Sequence, residues 1–178
     1  LEGVAGLAER LIVLISPAKA FNMATLGLAA AVVPDASLWQ SFRGAGTDSA
    51  EVSAFAYEAT LAAFGDSECD AWRERVVSYI RANRAFAAAA LTSIEGVRVV
   101  VPEASYLMWV DVTDALAPGT NAVRFFVEEA GVGLSGGEPF GGAAGTCRIN
   151  LACRRETLEE GLLRMAAAID GAAMRSRN

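Results

Sequence analysis

An unbroken run of branched apolar residues near the start, Leu-Ile-Val-Leu-Ile at residues 11–15, most limits how this chain can fold. Such a run favours a β-strand buried on both faces, as in a parallel sheet. Ser16 and Pro17 end it, because proline cannot continue a central strand. A second apolar run, residues 26–33, predicts another buried strand. We therefore expect two strands of one α/β sheet, in a chain that starts within a larger domain.

Three helices are predicted to follow these strands. Asp35 or Ser37 is suited to cap the first, which should end near Arg43. Apolar residues recur at helical spacing over about 49–65, from Ser49 to a terminal glycine, and again over about 69–94. The last helix is long enough to connect two subdomains.

Beyond residue 96 the pattern changes to short strands mixed with helices, which is typical of an α+β domain. A glycine-rich segment over 131–145 separates the predicted helix before it from a strand that alternates polar and apolar residues. The predicted elements are strands at 97–102 and 106–112, a helix at 121–130, a strand at 147–152 and an amphipathic helix from Arg155 or Glu156 to Met174.

Composition excludes several classes of function. Histidine is absent, so no site can depend on imidazole, and we predict no metal site. A net charge of -6 argues against a nucleic-acid backbone as partner. The apolar stretches are too short to predict a membrane span. Cys69, Cys147 and Cys153 form no paired motif, which favours reduced thiols and a cytoplasmic protein.

Lys19 is the only lysine among 15 basic residues. It follows the carboxyl end of the first predicted strand, which is where open α/β sheets bind their ligands. A partly buried primary amine in that position can form a Schiff base with a carbonyl cofactor. The alternative is an ordinary exposed lysine on a loop.

Arg148 lies in the middle of the otherwise apolar strand at 147–152, just after the glycine-rich segment. A planar guanidinium there is suited to bind a carboxylate through two parallel hydrogen bonds. A buried salt bridge to an acidic side chain explains the same position equally well. The residue pattern leaves both interpretations open.

These residues resemble a known family. The segment Ser-Pro-Ala-Lys-Ala-Phe-Asn at 16–22 is similar to the lysine motif of fold type I pyridoxal-phosphate enzymes in the class I/II aminotransferase superfamily, nearest to the cystathionine β-lyase-like (PatB-type) aminotransferases. The other matching features, in the family's order, are Trp72, Asn83, the segment 102–111, Gly131-Val132, the segment 137–141 and the segment 147–152.

The resemblance implies the C-terminal part of a pyridoxal-phosphate-dependent transferase fold, without its N-terminal half. Residues 1–46 would end the large cofactor-binding α/β domain, 47–95 would form a helical connector, and 96–178 would form the small α+β domain. Lys19 would hold pyridoxal phosphate as a Schiff base, Ser16 would help to bind its phosphate, and Arg148 would bind the substrate α-carboxylate. Ala18 departs from the serine often found before the lysine.

The activity implied is that of a pyridoxal-phosphate-dependent aminotransferase acting on an amino acid, with Lys19 as the general base. One alternative is a carbon–sulfur β-lyase of the cystathionine β-lyase type. The other is an inactive, self-associating fragment of such an enzyme. The family also implies a homodimer.

Overall fold

A computed structural model describes residues 6–46 and 51–176 of the chain. The chain divides into two compact units, Leu1–Arg75 and Val76–Asn178. The division falls inside one long helix, so each unit contains part of it. No helix in the described part of the chain is long and apolar enough to cross a membrane.

Two short strands form the sheet of the first unit. Strand β1 (Val13–Ile15) and strand β2 (Ala30–Val32) pair antiparallel, with Val13 opposite Val32. Both predicted strands exist, but each is shorter than predicted. The second predicted strand began at residue 26, which lies instead in a 3-10 turn at Ala24–Leu26.

The prediction of parallel pairing is wrong, and so is the prediction of burial for both strands, whose residues are exposed or half-buried. The loop between the strands turns the chain back beside β1, which imposes antiparallel pairing. Leu14 is 68% exposed and Ile15 is 43% exposed. The sheet has only these two strands among the described residues, so it has no further strand to cover them.

The helices of the first unit begin at side-chain caps. Helix α1 (Ala36–Gly44) follows Asp35, whose carboxylate accepts a 2.8 Å hydrogen bond from the amide of Leu38. Hydrogen bonds from the Ser37 hydroxyl and the Leu38 amide lower the pKa of Asp35. Asp35, rather than Ser37, is therefore the cap. Helix α2 (Ala54–Gly65) follows Ser53, and the predicted start at Ser49 lies outside the described residues.

Helix α2 is apolar around its whole circumference, a pattern typical of a buried helix. Its small residues Ala56 and Ala63 are buried, but its large ones are not: Phe55 is 80% exposed and Leu61 is 66% exposed. The first unit therefore has little hydrophobic core of its own.

The second unit contains the main core. Its four-stranded antiparallel sheet has the order β3-β4-β6-β5. The strands are β3 (Arg98–Val100), β4 (Leu107–Asp111), β5 (Ser135–Gly136) and β6 (Thr146–Asn150). Three of them were predicted near these positions; β5 lies in the segment that the sequence predicted only as glycine-rich.

Three helices pack with this sheet. Helix α3 (Ser67–Thr92) confirms the long predicted helix, and helix α5 (Arg155–Ser176) closes the unit. Helix α4 (Ala122–Phe125) continues directly into a π-helical turn at Phe126–Ala130. The largest fully buried side chains are Phe126, Leu91, Met108, Leu151, Met165, Val110, Val112, Asn83 and Cys147. Burial raises the pKa of the Cys147 thiol to about 12, so this thiol stays protonated.

Two polar residues one turn apart on α3 hold the connection between β6 and α5. The side-chain amide of Asn83 is fully buried and donates to the carbonyls of Leu151 and Cys153, at 2.9 Å each. The hydroxyl of Tyr79 accepts a 2.7 Å hydrogen bond from the backbone N–H of Arg155, at the start of α5. This N–H has no partner within its own helix.

We expect the substitution Asn83→Ala to lower the free energy of unfolding by about 2–4 kcal/mol, because it leaves two backbone carbonyls without their donor. Urea unfolding followed by circular dichroism measures the change. Ser78→Ala, at an exposed position of the same helix, serves as control and should change stability by less than about 0.5 kcal/mol. Equal effects of the two substitutions would contradict the structural role of Asn83.

Candidate active site

Lys19 lies in a tight turn immediately after β1. The turn is closed by hydrogen bonds from the amide of Phe21 to the Pro17 carbonyl and from the amide of Met23 to the Ala18 carbonyl, both 2.9 Å. Asn22 adopts a left-handed conformation with φ 55°, which asparagine tolerates better than most residues. The Lys19 side chain is exposed, and its amine has no hydrogen bond or ion pair with the described residues. The partial burial expected of a Schiff-base lysine is therefore not found, and the exposure is that of the alternative, a lysine on a loop.

Ser16 lies in the same segment, but its hydroxyl is already used. The Oγ atom donates to the Leu28 carbonyl at 2.7 Å and accepts from the amide of Ala18 at 3.2 Å. These two bonds tie the lysine turn to the chain that leads into β2. In this arrangement the hydroxyl has no second proton to donate to a phosphate.

An aromatic cluster anchors the lysine turn within the first unit. The ring of Phe21 stacks on Trp72, with centroids 5.9 Å apart and planes at 20°. The same ring meets Phe64 edge to face at 6.4 Å and 89°. Such pairs stabilise a definite geometry beyond simple burial. The turn carrying Lys19 is thus fixed against α2 and the first part of α3.

Arg148 lies in the middle of β6, opposite Trp109 of β4 and Ser135 of β5. Its guanidinium carbon lies 3.7 Å from the ring centroid of Phe140. Its Nε atom is buried and has no hydrogen-bond partner. No carboxylate in the described part of the chain pairs with Arg148, so the buried salt bridge considered from the sequence is not found there. A cation of this kind is suited to an external anion.

The glycine-rich segment packs closely on the side chains beside Arg148. A Cβ atom at Gly137 would clash with the Thr146 hydroxyl and lie 2.9 Å from Cη2 of Trp109. A Cβ atom at Gly142 would also clash with Thr146 and lie 3.0 Å from Cη2 of Trp109. These two glycines bracket the turn that carries Phe140. Glycine is required here because the backbone passes directly over a tryptophan ring.

The structure places the three predicted site residues in two groups. Ser16 and Lys19 share one turn in the first unit, and Arg148 lies in the second unit. The described residues contain no cluster of carboxylates and thiols that could hold a metal ion.

Sequence reasoning missed two contacts at these positions, Phe64 against the lysine turn and Phe140 against Arg148. Phe140 lies in the segment that matched the family, but its contact with Arg148 depends on how the glycine-rich segment folds back on β6. No periodic signal in the sequence reveals such a contact.

We expect Gly137→Ala to lower the free energy of unfolding by about 2–3 kcal/mol, since the new methyl group overlaps Thr146 and Trp109. Gly137 has φ -82°, which alanine also adopts, so the loss reports crowding rather than backbone strain. Gly133, with no atom within 4 Å of an added Cβ, is the matched control and should tolerate alanine to within about 0.5 kcal/mol. Urea unfolding monitored by tryptophan fluorescence tests both, and a silent Gly137→Ala would contradict the close packing.

Two curated proteins are similar to this chain over most of its length. A cystathionine beta-lyase of Corynebacterium glutamicum is 32% identical over 91% of the chain and 43% of the relative. Cystathionine beta-lyase PatB of Bacillus subtilis (strain 168) is 32% identical over 86% of the chain and 40% of the relative. The chain therefore spans less than half the length of these relatives.

A solved structure shows the same fold. The pyridoxal-phosphate-bound C-S lyase from Staphylococcus hominis superposes with a TM-score of 0.79 at 29% sequence identity, covering 89% of this chain and 42% of that one. This superposition and the mixed helices and strands of the present chain confirm the predicted fold class, part of a pyridoxal-phosphate-dependent transferase fold. The family model for aminotransferase class I and II matches residues 2–165, and the chain belongs to that family.

Proposed function

We propose that this chain forms part of a pyridoxal-phosphate-dependent enzyme that acts on an α-amino acid. The observation that carries the proposal is the position of Lys19 in a fixed turn directly after β1, where its amine has no partner among the described residues. The C-S lyase from Staphylococcus hominis, solved with pyridoxal phosphate bound, supports the choice of cofactor. As the only lysine of this sequence, Lys19 is its one side-chain amine that can form a Schiff base with the cofactor's aldehyde.

The chemistry divides between the cofactor and the protein. Pyridoxal phosphate, when bound, supplies an electron-withdrawing ring that accepts the electrons left on the substrate's α-carbon after proton removal. Nζ of Lys19, once free of the cofactor, is a base that can take this proton and hold it for return. The amine of Lys19 has no partner among the described residues, so no other contact has to break before it takes the proton.

Arg148 would hold the substrate's α-carboxylate. Its cationic head has no acidic partner in the described part of the chain, and its buried Nε lacks an acceptor. A carboxylate would satisfy this N–H and a second one on the same edge of the guanidinium. Fixing the carboxylate limits the orientations of the substrate, which favours reaction at the α-carbon.

A phosphate role for Ser16 stays a prediction. A phosphate at the lysine turn would have to draw the Ser16 hydroxyl away from the Leu28 carbonyl, its present acceptor. The amides of Ala18, Phe21 and Met23 already donate within the same turn, so they too would have to change partner to bind a phosphate.

Among the family's reactions, the relatives favour carbon–sulfur β-elimination. Both curated relatives are cystathionine beta-lyases, and the solved structure is a C-S lyase. Transamination is the second candidate, favoured by the family description of aminotransferase class I and II. Both reactions begin with removal of the α-proton, so the Lys19 and Arg148 roles are common to them.

A cytoplasmic location and a homodimer are further predictions of this proposal. All three cysteines are free, which supports a reducing compartment. The exposed apolar side chains of β1 and α2 support association with another protein surface.

We expect pyridoxal phosphate followed by borohydride to modify Lys19, as measured by absorbance and peptide mapping. Because it is the only lysine, the α-amino group is the only competing amine. A synthetic peptide of residues 16–22 is the matched control, and the folded chain should reach half-saturation at a cofactor concentration at least about 10-fold lower. Lys19→Arg should abolish the side-chain adduct. Equal labelling of chain and peptide would contradict a cofactor site and leave an inactive fragment of such an enzyme.

Incubation of the cofactor-loaded chain with L-cystathionine separates the two reactions. We expect pyruvate, ammonia and homocysteine to form when no 2-oxo acid is added, because β-elimination needs no amino acceptor. Product formation that depends on an added 2-oxo acid would identify an aminotransferase instead. Lys19→Ala is the control and should form neither product, and absence of both products with the unmodified chain would contradict the proposed activity for this chain.

A further inference from the structure

The ring of Phe140 stacks on the guanidinium group of Arg148. The guanidinium carbon lies 3.7 Å from the ring centroid, well within the range in which an aromatic face attracts a cation. Phe140 is 58% exposed, so core burial does not explain its position. The contact with Arg148 does.

The turn that carries Phe140 is held by the backbone. Within the turn, the amides of Phe140 and Gly142 donate to the Gly137 carbonyl, at 2.8 Å and 3.1 Å. The amide of Gly137 donates in turn to the Thr146 carbonyl on β6, at 2.9 Å. The close packing of Gly137 and Gly142 on Trp109 allows the turn little movement. Phe140 therefore has a definite position relative to the strand that carries Arg148.

Stacking covers a face of the guanidinium and leaves the N–H groups at its edges, including the buried Nε–H, without a partner among the described residues. The N–H groups that bind a carboxylate lie in the plane of the guanidinium, so a ring on its face does not compete with them. The ring limits rotation of the long arginine side chain. Less conformational freedom is then lost when an anion binds.

We propose that Phe140 is a positioning residue for carboxylate binding at Arg148, holding the guanidinium so that its free edge meets the α-carboxylate of an amino-acid substrate. This inference rests on the carboxylate role proposed for Arg148. Phe140 does not touch the carboxylate; it acts through the guanidinium alone.

The test measures acetate binding through the Nε–H resonance of Arg148 in the ¹⁵N-labelled chain, assigned by its loss in Arg148→Lys. Phe140→Leu keeps an apolar side chain but removes the aromatic face, and we expect it to weaken acetate binding by about 3- to 10-fold. Phe140→Trp restores an aromatic face and should bring the affinity back to within about 2-fold of the original value. A side chain needed only for packing would not show this rescue.

Phe86 provides the matched control, because its ring also lies against a guanidinium, 4.5 Å from the guanidinium carbon of Arg155. Phe86→Leu should leave acetate affinity at Arg148 within about 2-fold. Urea unfolding of each variant shows that it is folded.

The outcomes distinguish failure of the positioning role of Phe140 from failure of the carboxylate role of Arg148. If acetate does not shift the Arg148 resonance of the unmodified chain, the carboxylate role of Arg148 fails, and the role of Phe140 fails with it. If acetate binds, and Phe140→Leu binds it equally well, only the positioning role is overturned. Equal weakening by the leucine and tryptophan variants also overturns it.

Discussion

The buried amide of Asn83 makes the contact on which the second unit depends. Its two N–H groups reach the carbonyls of Leu151 and Cys153, almost seventy residues away along the chain. Leu151 itself is fully buried, and its amide donates to the Tyr106 carbonyl just before β4. One side chain of α3 thereby fixes the end of β6, three residues beyond Arg148. Both N–H groups of this buried amide are paired, whereas its buried Oδ1 has no partner among the described residues.

The two units differ sharply in how they are stabilised. The second has a continuous core of aliphatic side chains, Phe126 and Cys147 between its sheet and helices. In the first, large apolar side chains such as Leu14 and Phe55 stay exposed, and the described ordering contacts are hydrogen bonds of turns and the aromatic cluster around Phe21. Burial of apolar surface stabilises a fold by about 25 cal/mol per Å², and surface that stays in water does not contribute this free energy. The turn carrying Lys19 therefore belongs to the less stabilised part of the chain.

The contacts around Arg148 explain how a cation can stay unpaired in a sheet. Gly137 and Gly142 pack on Trp109, the residue opposite Arg148, and Phe140 offers the electron-rich face of its ring to the guanidinium. An aromatic face stabilises the charge less than a carboxylate would, and it leaves the hydrogen-bonding edge unused. The same arrangement accommodates an arginine that has no acidic partner among the described residues.

Local patterns predicted many elements and several positions correctly. The long helix α3, the alternating strand β6 and the turn after β1 follow from side chains close in sequence, and Asp35 is one of the two capping residues that the sequence offered. Local patterns did not predict three other features: the antiparallel pairing of β1, the strand β5 and the hydrogen bond from the Ser16 hydroxyl to the Leu28 carbonyl. Each depends on a segment that is distant along the chain or reversed by a loop.

The sequence by itself determined the family, the single amine and the arginine set in an apolar strand, because these depend on residue identity and local order. Only the tertiary structure decided that Arg148 lacks an acidic partner among the described residues, that Phe140 stacks on it and that Asn83 anchors its strand. The physical reason is that burial, hydrogen-bond partners and ring contacts are set by which distant segments meet. That choice minimises the free energy of the whole packed unit rather than of any one segment.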